Sequence, residues 1–298
     1  MVQLDVGLHD QAELFYNFDT LYGWCYGAAP PFFLATDALV GSRQIKNLSF
    51  HRESYLKIHH RILARLKDGS CGSRDVVIIT AKPELVYIFD TLCGWCYGAT
   101  PALSRARDAF GDALGITLLH GGLFTGNNAH SMPDMRPIAL EHDKRIHELT
   151  GQPFSDAYIK NIVMNDDVVH DSTPTALAHH VVKQLAPEWL LDFLRAAQHA
   201  RFVEGQDLTS WSAYVPIVKP FGISVKQFFD GFYNDDRIRT AMHEEFRLAR
   251  DLMEQVVAEG FPAIVLKHDG AATLIPHGQF LVSPGKIVSR VKDILSRK

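Results

Sequence analysis

Length, composition and charge are those of a soluble globular protein. The chain has 298 residues, 47% of them hydrophobic and 21% charged, with a mean hydropathy of -0.04, which argues against disorder. The net charge of -4 disfavours nucleic acid or an acidic membrane as partner of the whole chain. No apolar run approaches the roughly 20 residues that span a bilayer, and the acidic N-terminus lacks a signal-peptide pattern. We therefore expect a cytoplasmic protein.

An internal repeat marks the N-terminal third. Residues 14–30 and 85–101 align without gaps, with 13 of 17 positions identical. A solenoid needs at least about three stacked units, so the repeat indicates a partial duplication. The first copy has Tyr22 where the second has Cys93. We predict that residues 1–82 are an N-terminal extension with a degenerate copy of a strand–motif–helix unit.

The predicted elements follow in chain order. In the extension, a basic amphipathic helix is expected at 53–67 and a short strand at 76–79. Beyond it, apolar patterns and Gly or Pro breaks predict a strand at 85–89, a helix at 93–111, a strand at 116–119, a helical block at about 134–234, a helix at 237–259, strands at 262–266 and 272–275, and a helix from 283 to 295.

This order predicts an α/β domain over 83–298. The opening strand–helix–strand unit implies a parallel pair with a right-handed crossover, and the close pair of late strands implies an antiparallel hairpin across the turn at Asp269 and Gly270. Together they give a small mixed sheet flanked by helices, with a large all-helical insertion at about 134–234.

Two of the four cysteines, Cys93 and Cys96, are spaced C-x-x-C at the junction of a strand and a helix. A thiolate at a helix N-terminus is stabilised by free N–H groups and the helix dipole. We therefore predict Cys93 as the nucleophile and Cys96, one turn later, as the residue that resolves a mixed disulfide. The alternatives are half of a zinc site or two inert thiols. No second C-x-x-C supplies further zinc ligands, so no metal is assigned.

In this context the chain resembles a known family. The stretches YIFDTLCGWCYGA, LHGGLF and HDKRIHELTGQPFSDAY, with Gly260-Phe261-Pro262 before a late strand, are similar to the DsbA family of thioredoxin-like thiol–disulfide oxidoreductases, in its cytoplasmic FrnE-like branch of predicted protein-disulfide isomerases. The resemblance covers about 83–298. It implies a thioredoxin-like fold, and a cis Pro262 that faces the cysteines with Phe261 as a wall towards the substrate.

Further residues are assigned around the motif. Gly94 and Trp95 lie between the cysteines, and we expect both to contact substrate, with simple packing as the alternative for Trp95. His120 ends the second strand; it either lines the substrate groove or is a hydrogen-bonded structural histidine. Asp90 is interpreted as a turn or cap residue, with proton transfer as the alternative. Adjacent side chains on a helix diverge, so the His179-His180 pair is not assigned to a metal.

The leading hypothesis is an enzyme that exchanges disulfides with protein or small thiol substrates through the C-G-W-C pair. No resident cofactor is expected, and glutathione is a candidate redox partner. The alternative is a glutathione-dependent enzyme of the kappa transferase or 2-hydroxychromene-2-carboxylate isomerase type, which has serine where this chain has Cys93. A third hypothesis, a redox-inactive binding protein, conflicts with the intact motif.

Overall fold

The computed structural model describes residues 82–297. The predictions for the partial duplication, for the helix at 53–67 and for the strand at 76–79 lie outside the described residues.

A four-stranded mixed sheet forms the centre of the domain. Its strands are β1 (Glu84–Phe89), β2 (Gly115–His120), β5 (Ala263–His268) and β6 (Ala271–Ile275), in the order β2-β1-β5-β6. β1 pairs in parallel with β2 and antiparallel with β5, and β5 pairs antiparallel with β6. The predicted parallel pair and late hairpin are therefore confirmed.

Ten helices accompany the sheet within the described residues. They are α1 (Gly94–Phe110), α2 (Met132–Thr150), α3 (Asp156–Tyr158), α4 (Thr173–Leu185), α5 (Leu190–Phe202), α6 (Val215–Val218), α7 (Val225–Tyr233), α8 (Asp236–Gln255), α9 (Gly278–Val282) and α10 (Lys286–Leu295). Short 3-10 turns join several of them, and a π-helical segment, 159–163, extends α3. Helices α2 to α7 lie between β2 and α8 in the chain.

Strand β1 is buried on both faces, which explains its almost continuous apolar sequence. Leu85, Tyr87 and Phe89 lie in the main core with residues of α1, α4 and α5. Val86 and Ile88 point to the other face, where they pack in a cluster with residues of α8. Because β1 is central, the loop that follows it is held by packing on both sides.

Three local predictions need correction. The last helix begins at Lys286 with Gly285 as its cap, whereas Ser283 makes a turn in which its carbonyl accepts the N–H of Lys286 at 3.0 Å. Helix α8 ends at Gln255, before Val257, whose φ of 55° is incompatible with a helix. The short helix α9 and a two-residue ladder, β3 (His130–Ser131) with β4 (Val169–His170), were not predicted.

Among the residues that the structure describes, no helix combines the length and apolar character that crossing a membrane would require.

Candidate active site

Asp90 organises the turn that leads from β1 to α1. Its Oδ1 accepts the N–H of Leu92 at 2.9 Å, and its Oδ2 accepts the N–H of Leu123 at 2.8 Å. Its backbone carbonyl accepts the N–H of Cys93 at 3.2 Å. The side chain is fully buried, so these bonds satisfy a carboxylate that would otherwise be costly to bury. This is the turn role predicted for Asp90, and it fixes where α1 begins.

The two motif cysteines occupy different environments. Cys93 is the N-cap of α1, with extended backbone angles, and its carbonyl accepts the N–H of Tyr97 at 3.0 Å. It keeps 6% of its surface exposed, whereas Cys96 keeps none. Both are free thiols in this structure. Of the two, only Cys93 therefore keeps any surface that an external group can reach, and Cys96 lies one turn behind it.

The surroundings of Cys96 hold it as a neutral thiol. Burial raises the pKa of Cys96 well above its usual range, and the neighbouring Cys93 raises it further. The N–H of Asp90 lies 3.5 Å from the Cys96 sulfur and opposes this effect. The Cys96 carbonyl accepts the hydroxyls of Tyr87 and Thr100, each at 2.8 Å, which fixes the first turn of α1 against β1.

Pro262 lies at the same end of the sheet as the motif. The Phe261–Pro262 peptide bond is cis, as the resemblance implies. Ile88 pairs with Ala263 across the antiparallel strands β1 and β5. Pro262, the residue before Ala263, therefore lies opposite the end of β1, where the turn to Cys93 begins. Pro262 is buried and Phe261 half-buried. A Cβ on Gly121 would lie 2.2 Å from the Phe261 ring, so glycine there lets the ring cover the end of β2.

Gly94 allows helix α2 to approach the motif closely. A Cβ at this position would lie 2.7 Å from Oδ1 of Asp143 and 3.0 Å from Cδ1 of Ile146. Asp143 is buried and accepts the hydroxyl of Tyr158 at 2.9 Å. Burial raises the pKa of Asp143 to about 7, although Tyr158 and Arg201 oppose the rise. A carboxyl group that changes charge near neutral pH thus lies against the start of α1.

Trp95 meets two polar side chains of α2. Its Nε1–H donates to Nδ1 of His142 at 3.4 Å, and the two rings meet edge to face. The guanidinium of Arg145 lies over the indole, 6.0 Å from the ring centroid. Trp95 is half-buried, whereas His142 and Arg145 are exposed. We call these three residues the outer cluster.

Of the two alternatives for His120, the structure disagrees with a residue that lines a substrate groove and agrees with the hydrogen-bonded structural histidine. Its side chain is fully buried, because phenyl rings of Phe89 and Phe246 pack around the imidazole. Nδ1 accepts the backbone N–H of Gly122 at 3.2 Å, and Nε2 lies 3.2 Å from the Thr175 hydroxyl and 3.5 Å from the backbone N–H of Thr91. Burial lowers the pKa of His120 to about 4. His120 is therefore a neutral, hydrogen-bonded histidine of the core.

His120 belongs to a second group of polar residues, which we call the inner cluster. It consists of His120, His179, His180, Lys183 and Glu245. Nε2 of His179 and Nε2 of His180 lie 3.3 and 3.4 Å from the same oxygen of Glu245. The adjacent histidines therefore converge on one carboxylate, and the prediction that their side chains diverge is wrong. Among residues 82–297, no group of three histidine, cysteine or acidic side chains is arranged to hold a metal.

Glu245 remains ionised inside the inner cluster. Burial raises the pKa of Glu245, but the adjacent imidazoles of His179 and His180 and the charge of Lys183 lower it well below its usual range overall. Lys183 contacts one carboxylate oxygen directly, and the backbone N–H of His120 donates to the other at 2.7 Å. The carboxylate thus joins α8 to α4 and to the end of β2.

The chain is similar in sequence and fold to proteins of known structure. No family model matches the chain, and no curated protein does. Among solved structures, the cytosolic disulfide reductase DsbM from Pseudomonas aeruginosa matches with a TM-score of 0.64 and 30% identity over 71% of this chain and 98% of DsbM. The chain belongs to the DsbA family.

Two other structures extend this comparison. DsbM with glutathione matches at 28% identity and a TM-score of 0.63, over 72% of this chain and all of that one. A protein described as a disulfide isomerase from Nitrosomonas europaea matches at 26% and 0.60, over 72% of this chain and 97% of its own. The DsbA-like fold is therefore confirmed, and the chain is an oxidoreductase enzyme.

Two residues of this DsbA-family site were missed in the sequence. His142 and Arg145 belong to the stretch HDKRIHELTGQPFSDAY, which contributed to the resemblance but received no role. They lie three residues apart, the spacing at which helical side chains become neighbours. That spacing identifies a shared helix face, but only the packing of α2 on α1 shows that the face meets Trp95.

Proposed function

We propose that this DsbA-family enzyme exchanges disulfides through Cys93 and Cys96 as a cytoplasmic protein. The observation that carries the proposal is the difference between the two sulfurs: Cys93 is the slightly exposed N-cap of α1, and Cys96 is fully buried one turn behind. Cys93 stands at the start of α1, where backbone N–H groups without helical acceptors attract the negative charge of an attacking nucleophile. The raised pKa of Cys96 keeps that sulfur protonated until a mixed disulfide forms.

The exchange proceeds in two displacements. The Cys93 thiolate attacks one sulfur of a substrate disulfide, forms a bond to it and releases the other sulfur as a thiolate. Cys96 then loses its proton and attacks the Cys93 sulfur, which forms the Cys93–Cys96 disulfide and releases the second substrate thiolate. Two electrons have passed to the substrate, and the enzyme is oxidised. Two equivalents of an external thiol return both cysteines to the dithiol.

Glutathione is the external thiol that we propose, with protein disulfides and small disulfides as substrates. The similarity to a cytosolic disulfide reductase whose structure contains glutathione supports this assignment. Pro262, Phe261, Gly94 and Trp95 are proposed to border the substrate, because Pro262 and Phe261 come just before β5 opposite the end of β1 and Gly94 and Trp95 directly follow Cys93 at the start of α1. A kappa-type transferase is disfavoured by the cysteine at position 93.

Single cysteine substitutions test the proposal. Cys93→Ser should reduce disulfide exchange, measured with insulin and dithiothreitol or with glutathione disulfide, to the rate without enzyme. Cys96→Ser should retain attack by Cys93 but accumulate a mixed disulfide, visible by mass spectrometry, because nothing resolves it. Cys71→Ser is the matched control and should leave exchange unchanged. Adduct formation on Cys96 in the Cys93→Ser variant would reverse the roles of the two cysteines. Full activity of both variants would show that the C-G-W-C motif is not the site of disulfide exchange.

A further inference from the structure

The outer cluster is incomplete in a way that points to a ligand. Among residues 82–297, Arg145 has no ion-pair partner; its one polar or aromatic contact is with the Trp95 ring. A guanidinium held over an aromatic ring, here 6.0 Å from the ring centroid, keeps its N–H groups free, and their fork matches the geometry of a carboxylate. The chain carries a net charge of -4, so this local cation is not part of a general positive field.

His142 adds a second donor beside the guanidinium. Because its Nδ1 accepts the Trp95 N–H, the neutral ring carries its own proton on Nε2. His142 and Arg145 are three residues apart on α2 and therefore adjacent on its surface. Both side chains are exposed, so an Nε2–H and a guanidinium edge flank the indole that lies two residues after Cys93.

We propose that the outer cluster is a subsite for a carboxylate carried next to the reacting sulfur, so that the enzyme selects anionic disulfides of the glutathione type. This inference rests on the proposed disulfide exchange at Cys93 and names the substrate class of that site. Arg145 binds the carboxylate, His142 donates a further hydrogen bond, and Trp95 holds Arg145 in place. Glutathione has two carboxylates and a central thiol, so one carboxylate can reach α2 while its sulfur reacts.

The test compares three small disulfides of different charge on the full chain: glutathione disulfide (anionic), 2-hydroxyethyl disulfide (neutral) and cystamine (cationic). Exchange by the wild type should be fastest with the anionic disulfide. Arg145→Gln should slow the anionic reaction by about two- to fivefold, the range of an exposed ion pair, and leave the neutral one unchanged. The preference should also shrink as salt is raised, because exposed charges are screened.

Lys144→Gln is the matched control, because it removes the same charge from the adjacent, exposed position of α2. It should retain the anionic preference. Arg145→Lys should recover part of it, since the charge remains but the planar fork is lost. Three results would each overturn the subsite. The wild type could react equally fast with all three disulfides, Lys144→Gln could slow the anionic reaction as much as Arg145→Gln, or Arg145→Gln could slow all three reactions equally. Failure of the wild type with every disulfide would instead contradict the proposed exchange itself.

Discussion

Two polar clusters flank the redox motif, and they differ in whether their charges are already paired. In the inner cluster, the carboxylate of Glu245 is surrounded by Lys183, two imidazoles and the N–H of His120. In the outer cluster, Arg145 is exposed and meets only an aromatic ring among the described residues. Buried charges require partners that the protein supplies itself. An exposed, unpaired charge over the tryptophan of the redox motif is free to accept a partner from outside.

The comparison predicts that the largest effect on stability comes from the inner cluster. Glu245→Leu leaves the His120 N–H and Lys183 without their acceptor, and breaking a buried pair in this way costs about 3 kcal/mol or more. We expect a clearly lower free energy of unfolding in urea. Glu244→Gln, at the exposed neighbouring position of α8, is the control and should change little. Equal stability of the two variants would show that the inner cluster does not hold the fold.

The next effect concerns the close approach of α2 to the motif. Gly94→Ala places a methyl group 2.7 Å from Oδ1 of Asp143. Such overpacking lowers the free energy of unfolding by about 1–3 kcal/mol. Gly278→Ala is a matched control, because Gly278 also opens a helix and an added methyl group there meets nothing within 4 Å. Thermal unfolding should separate the two variants. If they melt alike, the contact between α1 and α2 is looser than the structure indicates.

The sequence predicted the strand, turn and helix start that carry the redox motif better than the residues packed around them. The strand–turn–helix start at Phe89, Asp90 and Cys93 follows from local patterns, because an apolar run, an Asx-type turn and a helix start lie within ten residues. The position of Pro262 came from the resemblance. In contrast, Asp143 lies 49 residues from Gly94, and Glu245 lies 62 and 125 residues from Lys183 and His120, and no spacing rule joins such distant positions. Their roles depend on how whole helices pack.

His120 shows that tertiary packing can also rule out a role that its sequence position allows. Its place at the end of β2, before two glycines, left open whether it faces the substrate or is a structural histidine. The glycines serve packing instead: Gly121 accommodates the ring of Phe261, and Gly122, with a φ of 60°, lies against Phe246. These aromatic rings come from distant parts of the chain and cover the region around His120. Burial of this kind follows from the tertiary structure and leaves no periodic signal in the sequence.

A smaller, pH-dependent effect is expected at Asp143. Its pKa rises from 3.8 to about 7 on folding, so between these values the unfolded chain is ionised there while the folded chain holds the proton. The corresponding stability is complete below about pH 4 and is lost as pH rises through 7. The groups that face Asp143 are Tyr158 and Arg201, and neither titrates in this window.

Asp143→Asn removes this dependence. The free energy of unfolding of the variant, relative to the wild type, should therefore rise between pH 4 and pH 8 by on the order of 1 kcal/mol or more. Urea unfolding at several pH values measures the difference. Asp134→Asn, at the exposed start of the same helix, should show no comparable trend. A constant difference for Asp143→Asn across the range would mean that the carboxyl is ionised throughout.

The smallest effect is expected from deletion of residues 1–82. Both clusters, the motif and the cis proline lie in the part of the chain that the structure describes, and the similarity to DsbM covers 71% of the chain but 98% of DsbM. The first copy of the repeat lacks the nucleophile, because Tyr22 replaces it. Residues 83–298 alone should therefore match the full chain in rate of exchange and in melting temperature. A failure to fold would contradict the proposed boundary. A marked gain in activity would favour a different role, in which the extension covers Trp95 and Phe261, and the anionic preference of the outer cluster should then grow on deletion.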